Sequence, residues 1–326
     1  MCKFIKAENA GNDYLYSFEK PWQKSTIVSL CSRRFGAGAD GAVFIKKTDG
    51  AYFLTIFNAD GNEADFCGNA CITASKLLFD LDASKRLKFC IKTRAKRAES
   101  EICGKFVAIK TEGATPVLPD KNEKTLLKRL SRIKGVDYAG LFCAGNLHLV
   151  IKSCDLSRKF TDKAVKTINE SGVFKDGVNV EFFRPSFSGI NCGCRCGRRG
   201  FCNNGGCNGG SCGCEGDKYG CARSAEITDG VDAVVFERGS GYTYACGSGA
   251  LAIFACYNLA VRRVFGLKVK YKGGTLSVRK AENENCVKLI GTPHIVYRGE
   301  AVENFCGSRA DFSSDKSLFS GEELCE

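Results

Sequence analysis

The sequence predicts an α+β protein built as two related halves. Three observations carry that expectation: short β-type runs alternate with a few helical stretches, an ordered set of motifs recurs in the second half, and each half places Cys-Gly directly before an apolar helix. At 326 residues the chain is long enough for two domains with separate cores.

The first half opens with a strand in "KFIKA", a turn in "NAGND" and an apolar "YLYSF". A helix follows in "KSTIVSLCSRRFG", ending at Gly36. "AVFIKK" and "YFLTIFNADG" are strands, the second closed by Asp-Gly. After Cys67, "GNACITASKLLFDL" keeps Ile72, Ser75, Leu78 and Phe79 near helical register, and "RLKFCIKTR" and "KFVAIKTEG" return to strand. The second half repeats the order: "AGNLHLVIKS" is turn and strand, "DKAVKTINESGVF" helix, and "VNVEFF" and "VDAVVFERG" strands. "GSGALAIFACYNLAVRRVFG" is a long apolar helix, "LKVKYKGGTLSVRK" a hairpin around Gly273-Gly274, and "VKLIGTPHIVYRGE" a closing strand pair.

The repeat can be checked by residue. Gly11-Asn12 corresponds to Gly145-Asn146, "DGAVFI" from Asp40 to "DGVNVEF" from Asp176, and Phe57…Cys67 to Phe236…Cys246 at the same spacing. Three matches in order are better explained by duplication than by chance. The expected domains are therefore residues 1–125 and 126–300, followed by a polar tail, 301–326.

A stretch rich in Gly and Cys, residues 188–222, interrupts the second half where the first has a short connection. It has too few apolar side chains for a core and is read as a surface-loop insertion. Eight of the 21 cysteines lie there: Cys192, Cys194, Cys196, Cys202, Cys207, Cys212, Cys214 and Cys221. A thiolate-rich set without histidine suits zinc, copper(I) or iron–sulfur, but the spacing lacks the paired C-x2-C knuckles of a zinc ribbon. A structural metal, a neutral loop and disulfide pairing all stay open. The other 13 cysteines are dispersed, as small buried hydrophobes would be.

Bulk properties exclude several classes. Hydrophobic residues at 44% and charged residues at 26% fit a soluble globular chain, and no apolar run nears the roughly 20 residues of a membrane span. The start lacks a secretory signal, so the expected location is the cytoplasm. The net charge of +12 comes from scattered Lys and Arg, which is a solvated basic surface and no nucleic-acid motif.

The chemistry lies in the two Cys-Gly devices. A cysteine at a helix N-terminus sits beside unpaired backbone N–H groups and the positive end of the helix dipole, so Cys67 and Cys246 are expected to ionise easily. The amides of Gly68-Asn69 and Gly247-Ser248 make two anion sites, and a carboxylate held between them would lie between two reactive sulfurs. That arrangement suits removal of an amino acid's α-proton by one sulfur and proton delivery to the opposite face by the other. One such motif alone could equally be a tight turn with a buried thiol, and Asn12, Asn58 and Asn146 could equally hold turns; two equivalent copies favour chemistry.

The sequence resembles diaminopimelate epimerase, a pyridoxal-phosphate-independent isomerase, over about residues 1–300 outside the insertion. The motifs that carry the resemblance are "AGNDYLY", "RRFGAGADG", "FNADGNEADFCGNA" (57–70), "GNLH" (145–148), "VNVEF" (178–182) and "FERGSGYTYACGSGA" (236–250). It implies two pseudo-symmetric α+β domains, each a β-sheet wrapped around a central helix, with the active site in the cleft between them. It also implies Cys67 and Cys246 as the acid/base pair, substrate contacts from Asn12, Asn58, Gly68, Asn69, Asn146, Asn179, Glu237, Arg238, Gly247 and Ser248, and His148 in support. The substrate would be a small amino acid, L,L- or meso-diaminopimelate, in lysine and peptidoglycan precursor synthesis, with no cofactor for catalysis, no membrane or nucleic-acid partner, and a homodimer as the assembly to test. Asp40 and Asp60 are read as turn formers and His294 as structural. Three positions depart from the family's pattern: Leu147 replaces proline, Tyr242 glutamate and Ala70 glycine. They leave room for a racemase of the same superfamily acting on another amino acid. A non-catalytic metal- or nucleic-acid-binding protein on this scaffold is the remaining alternative.

Overall fold

The computed structural model describes residues 2–186, 229–282 and 286–302. The insertion, all eight of its cysteines and nearly all of the C-terminal tail lie outside the described residues.

The first half runs β1 (Cys2–Asn9), β2 (Asn12–Ser17), α1 (Lys24–Cys31), β3 (Gly41–Thr48), β4 (Ala51–Asn58), β5 (Glu63–Ala64), α2 (Gly68–Leu81), β6 (Lys88–Lys92), β7 (Arg97–Cys103), β8 (Phe106–Glu112) and β9 (Thr115–Val117). A linking helix, α3 (Lys121–Ser131), leads to the second half. That half runs β10 (Val136–Cys143), β11 (Leu147–Ser153), α4 (Arg158–Glu170), β12 (Asn179–Ser186), β13 (Asp229–Glu237), β14 (Gly241–Thr243), α5 (Gly247–Ala260), β15 (Gly266–Tyr271), β16 (Gly274–Lys280), β17 (Cys286–Gly291) and β18 (His294–Ala301). Strand n of the first half thus has strand n + 9 as its counterpart, α1 matches α4, and α2 matches α5.

The pairings repeat as well. β2 and β3 are parallel, as are β11 and β12; β4 and β6 are parallel, as are β13 and β15. Each ninth strand leaves its own half: β9 pairs with β10, and β18 with β1. The halves join through β8 and β17, with Ile109 opposite Leu289. The expected closing pair is therefore two strands with different partners, since β17 pairs with β16 and β8 while β18 pairs with β1.

The two central helices are enclosed over most of their length, α5 apolar on nearly every face and α2 up to the Lys76–Asp80 ion pair near its end, as surrounded helices can be. In α2 every residue from Gly68 to Ser75 is buried, and α2 touches β1, β2, β6, β7 and β8. In α5 Leu251, Ile253, Phe254 and Cys256 are buried, and α5 touches β10, β11, β12, β15 and β16. One apolar core holds both helices. The outer helices are amphipathic: α3 buries Leu126 and Leu130, four residues apart, and α4 buries Phe160, Ala164, Val165 and Ile168 against the face of β10, β11 and β12 turned away from α5. Two helices stop earlier than their apolar patterns suggest. α1 ends at Cys31, where the chain turns back and Gly38 N donates to Leu30 O. α5 ends at Ala260, because the Asn258 side chain accepts from Val264 N and Arg262 turns to pair with Asp229.

Candidate active site

Each half builds its cysteine in the same way. β4 ends at Asn58, folds back through β5, and reaches Cys67 as the extended N-cap of α2; β13, β14 and Cys246 do the same for α5. The two helix starts meet at Leu289. Its Cδ2 would lie 2.7 Å from a Cβ on Gly68 and 3.2 Å from one on Gly247, so neither position has room for a larger residue without displacing Leu289. A Cβ on Gly247 would also lie 3.6 Å from the backbone N of Asn69. The structure therefore brings the two helix N-termini together.

Around Cys67, the Tyr14 hydroxyl donates to Sγ at 3.3 Å, and Asn12 Oδ1 lies 3.9 Å away. Around Cys246, Gly249 N donates to Sγ at 3.4 Å, and Ser248 Oγ is also at 3.4 Å. The expectation of easy ionisation meets an opposing effect at both cysteines. Burial pushes the Cys67 thiol up, offset in part by Tyr14 and the amides of Ala70 and Asn69. Burial pushes Cys246 further, and the carboxyls of Glu237 and Glu181 add to it. Glu237, itself raised by burial, accepts a hydrogen bond from the Thr243 hydroxyl.

The amides have fixed polarities. Asn12 donates Nδ2–H to Asp40 at 2.8 Å, which leaves its Oδ1 on the side of Cys67. Asn69 accepts at Oδ1 from Asn9, at 3.0 Å. Asn146 Oδ1 accepts from His148 Nε2 at 2.8 Å, and Asn179 Oδ1 from the Arg238 backbone N–H at 3.0 Å. Asn69, Asn146 and Asn179 are thus left with N–H groups to offer. Asn58 and Arg238 are exposed, and among the described residues Arg238 has no ion-pair partner, so its guanidinium is available for an anion.

Of the residues that depart from the family's pattern, Tyr242 points away from the cysteines: its hydroxyl bonds to Thr161 and Asp162 of α4, with the Arg158 guanidinium 3.6 Å above its ring. Leu147 lies in β11 opposite Cys143, and Ala70 is buried in α2. His294 bonds to Glu8 near the first turn.

Three residues were missed in the sequence. Tyr14 reaches Cys67. Asp40, read as a turn former, joins Asp13 and Arg33 in an ion network that anchors Asn12. Glu181 is fully buried against His148, at 3.1 Å. The signal for Glu181 was a lone carboxylate inside the apolar run "VNVEFF"; Tyr14 and Asp40 carried none beyond their motifs. Among the described residues no group of three or more His, Cys, Asp or Glu gathers as a metal site, and no helix is long and apolar enough to cross a membrane.

Comparison with known proteins finds relatives in sequence and in fold. The family model described as diaminopimelate epimerase matches residues 10–117. Diaminopimelate epimerase of Caldanaerobacter subterraneus subsp. tengcongensis is 26% identical over 311 residues, covering 91% of this chain and 98% of its own. That of Methanococcus maripaludis (strain C5) is 28% identical over 319 residues, covering 91% and 99%. A predicted epimerase from Pseudomonas aeruginosa shares the fold with TM-score 0.60 at 13% identity, covering 93% of this chain and 99% of that one. A probable proline racemase from Agrobacterium radiobacter K84 does so with TM-score 0.57 at 10% identity, covering 93% of each. The curated relatives over nine-tenths of the chain are isomerases by name, and that is the class in which the chain stands. Within it, the chain is a relative of diaminopimelate epimerase over about nine-tenths of its length.

Proposed function

We propose that the protein interconverts L,L- and meso-diaminopimelate by two-base α-proton transfer between Cys67 and Cys246. The observation that carries this reading is the pair of cysteine-capped helix N-termini brought together at Leu289. The α-carboxylate of the substrate sits between the amides of Gly68-Asn69 and Gly247-Ser248, where the two helix ends stabilise the charge that develops as the α-proton leaves. Cys67, the thiol that burial raises less, is the first to ionise. As thiolate it takes the α-proton; the Cys246 thiol gives its proton to the opposite face of the carbanion, and the reaction ends with Cys67 as thiol and Cys246 as thiolate. The ammonium of a bound amino acid, next to both sulfurs, favours the thiolate that burial resists.

Specificity for a second carboxylate rests on the second half. Arg238 with the N–H groups of Asn146 and Asn179 forms a donor set fit for the distal end, with Asn58 at the rim. The division into halves at about residue 125, a homodimeric assembly, a cytoplasmic location, a place in lysine and peptidoglycan precursor synthesis, and cofactor-free catalysis belong to the same reading. A racemase acting on another amino acid is the second reading, favoured by the likeness in fold to a proline racemase. Incubation with L,L-diaminopimelate in D2O separates the two: the first reading requires α-deuteration together with the meso isomer, and absence of both sinks it.

A further inference from the structure

The second half carries a buried acid that the first half lacks. Gly41 of β3 pairs with Tyr14 of β2, and Asn179 of β12 with His148 of β11. Two residues further on, the first half has Val43 and the second Glu181. Three residues after each cysteine stand Ala70 and Gly249. Val43 and Ala70 belong to the apolar core. Gly249 leaves the space that Glu181 fills, since a Cβ there would lie 2.2 Å from Glu181 Oε1 and 2.6 Å from Oε2. Acid and glycine form a matched pair.

Burying a carboxyl costs several kcal/mol unless it is compensated, and Glu181 is compensated at one oxygen only. Its Oε1 meets His148 Nδ1, while Oε2 has no partner among the described residues. An ionised carboxylate has about four acceptor sites to satisfy, so a neutral, proton-sharing acid fits the orphan oxygen better. The other ring nitrogen points the same way. Both partners of the His148 ring are oxygens, Glu181 Oε1 and Asn146 Oδ1. A neutral imidazole donates from one nitrogen only, so the pair holds one proton more than neutral His with ionised Glu. Whether that proton sits on Glu181 or on Nδ1, Nε2 carries a hydrogen and donates it to Asn146.

We propose that Glu181 is a positioning residue: through the proton shared with His148 it keeps Nε2–H on Asn146 Oδ1 and so fixes Asn146 with its N–H groups offered to a substrate carboxylate. The consequence for catalysis rests on the function proposed above; the consequence for the ring does not. Glutamine at 181 can donate to Nδ1 and leave Nε2–H in place. Valine at 181 cannot, and Glu181→Val with Gly249→Ala copies the packing of Val43 and Ala70.

The chain has two histidines, and His294 is exposed, with 70% of its side chain open. Nitrogen-15 spectra of the imidazoles of the intact protein therefore report on His148. At neutral pH the wild type and Glu181→Gln should show a protonated Nε2, and Glu181→Val/Gly249→Ala should lose that fixed state while its melting curve stays cooperative. With L,L-diaminopimelate, the double variant should lose about a hundredfold in kcat/KM, mainly through KM, as misplacement of one contact can, and Glu181→Gln should keep most of its activity. An unprotonated Nε2 in the wild type, or the same ring signals in wild type and double variant, overturns the proposal. Wild type inactive on diaminopimelate but with these ring signals overturns only the proposed substrate.

Discussion

The pH dependence of alkylation at the two thiols tests which of two opposed effects governs them. A helix N-terminus stabilises an anion by about 0.3–1 kcal/mol, up to about 2 in partly buried geometry. At about 1.36 kcal/mol per pKa unit, that lowers a thiol by roughly 1.5 units at most. Removal from water acts the other way, by up to about 3–5 units for a fully buried group. Cys246 is 5% exposed and has two carboxyls nearby, so burial wins outright. Cys67 is half-buried and has three compensating donors, and its rise is smaller. Iodoacetamide added to the substrate-free enzyme over a pH series, with quantitation of the two modified peptides, should therefore give Cys67 a midpoint above the free-thiol value of about 8.5. Cys246 should follow at still higher pH. The fraction of thiolate at neutral pH is then small in both, and a substrate ammonium must supply the missing stabilisation, so catalysis should set in at lower pH than alkylation. A Cys67 midpoint clearly below that of free cysteine would show that the helix terminus dominates and would refute this account of the two thiols.

Other outcomes follow from the same geometry. Cys246→Ala should abolish net epimerisation by at least ~10²–10⁴-fold, since no second donor addresses the opposite face; a D2O assay that still yields the other isomer speaks against two-base transfer. Arg238→Met should lower kcat/KM by roughly 10–100-fold, the ~1.5–3 kcal/mol of a lost charged contact, chiefly in KM. Ser186 and Gly230 are opposite one another in β12 and β13, so a short Gly-Ser link in place of residues 189–221 can close the hairpin across a gap of about 5 Å and should leave epimerase activity intact; a folded but inactive deletion would show that the segment serves the site. Burial raises the thiols of Cys31 and Cys256 to about 12. Between the unfolded thiol value and that point the folded chain holds protons the unfolded chain has released, so stability should fall as pH rises, by up to ~1.4 kcal/mol per unit for each thiol. Urea titrations across the alkaline range measure the slope, which Cys31→Ala with Cys256→Ala should flatten.

The sequence was most readable where a pattern had one physical solution. The span of α2 follows from its apolar run and the Cys67 cap, and its counterpart α5 from the same device. Two of the three motif matches that pointed to duplication keep their register in the structure, and the third, Asp40-Gly41 with Asp176-Gly177, is two residues out of step, since Gly41 takes the place of Asn179. The short elements left no such trace. β5 and β14 have two and three residues and exist only as hairpin returns, and the exchange of β9 and β18 between halves is a matter of which edge is open, a long-range choice that no local pattern records. Only the local part of the cysteines' setting was legible, since the N-cap position follows from the sequence whereas the burial that raises both thiols depends on distant strands.

The duplicated scaffold is asymmetric in what its two halves offer a substrate. A diaminopimelate molecule has like groups at both ends but is inverted at one, so two identical halves could not tell its ends apart. The symmetry is broken behind the equivalent asparagines. Asp40, tied to Arg33, can only accept, so Asn12 gives up its N–H and keeps its carbonyl beside Cys67. His148, backed by Glu181, donates, so Asn146 gives up its carbonyl and keeps its N–H groups. One asparagine presents an acceptor and its twin presents donors, and Arg238 stands on the donor side. On the proposed reading the donor side takes the distal carboxylate, and the α-carbon at the other end is the one left between the sulfurs. The choice of which stereocentre reacts would then be made by acids and bases that never touch it.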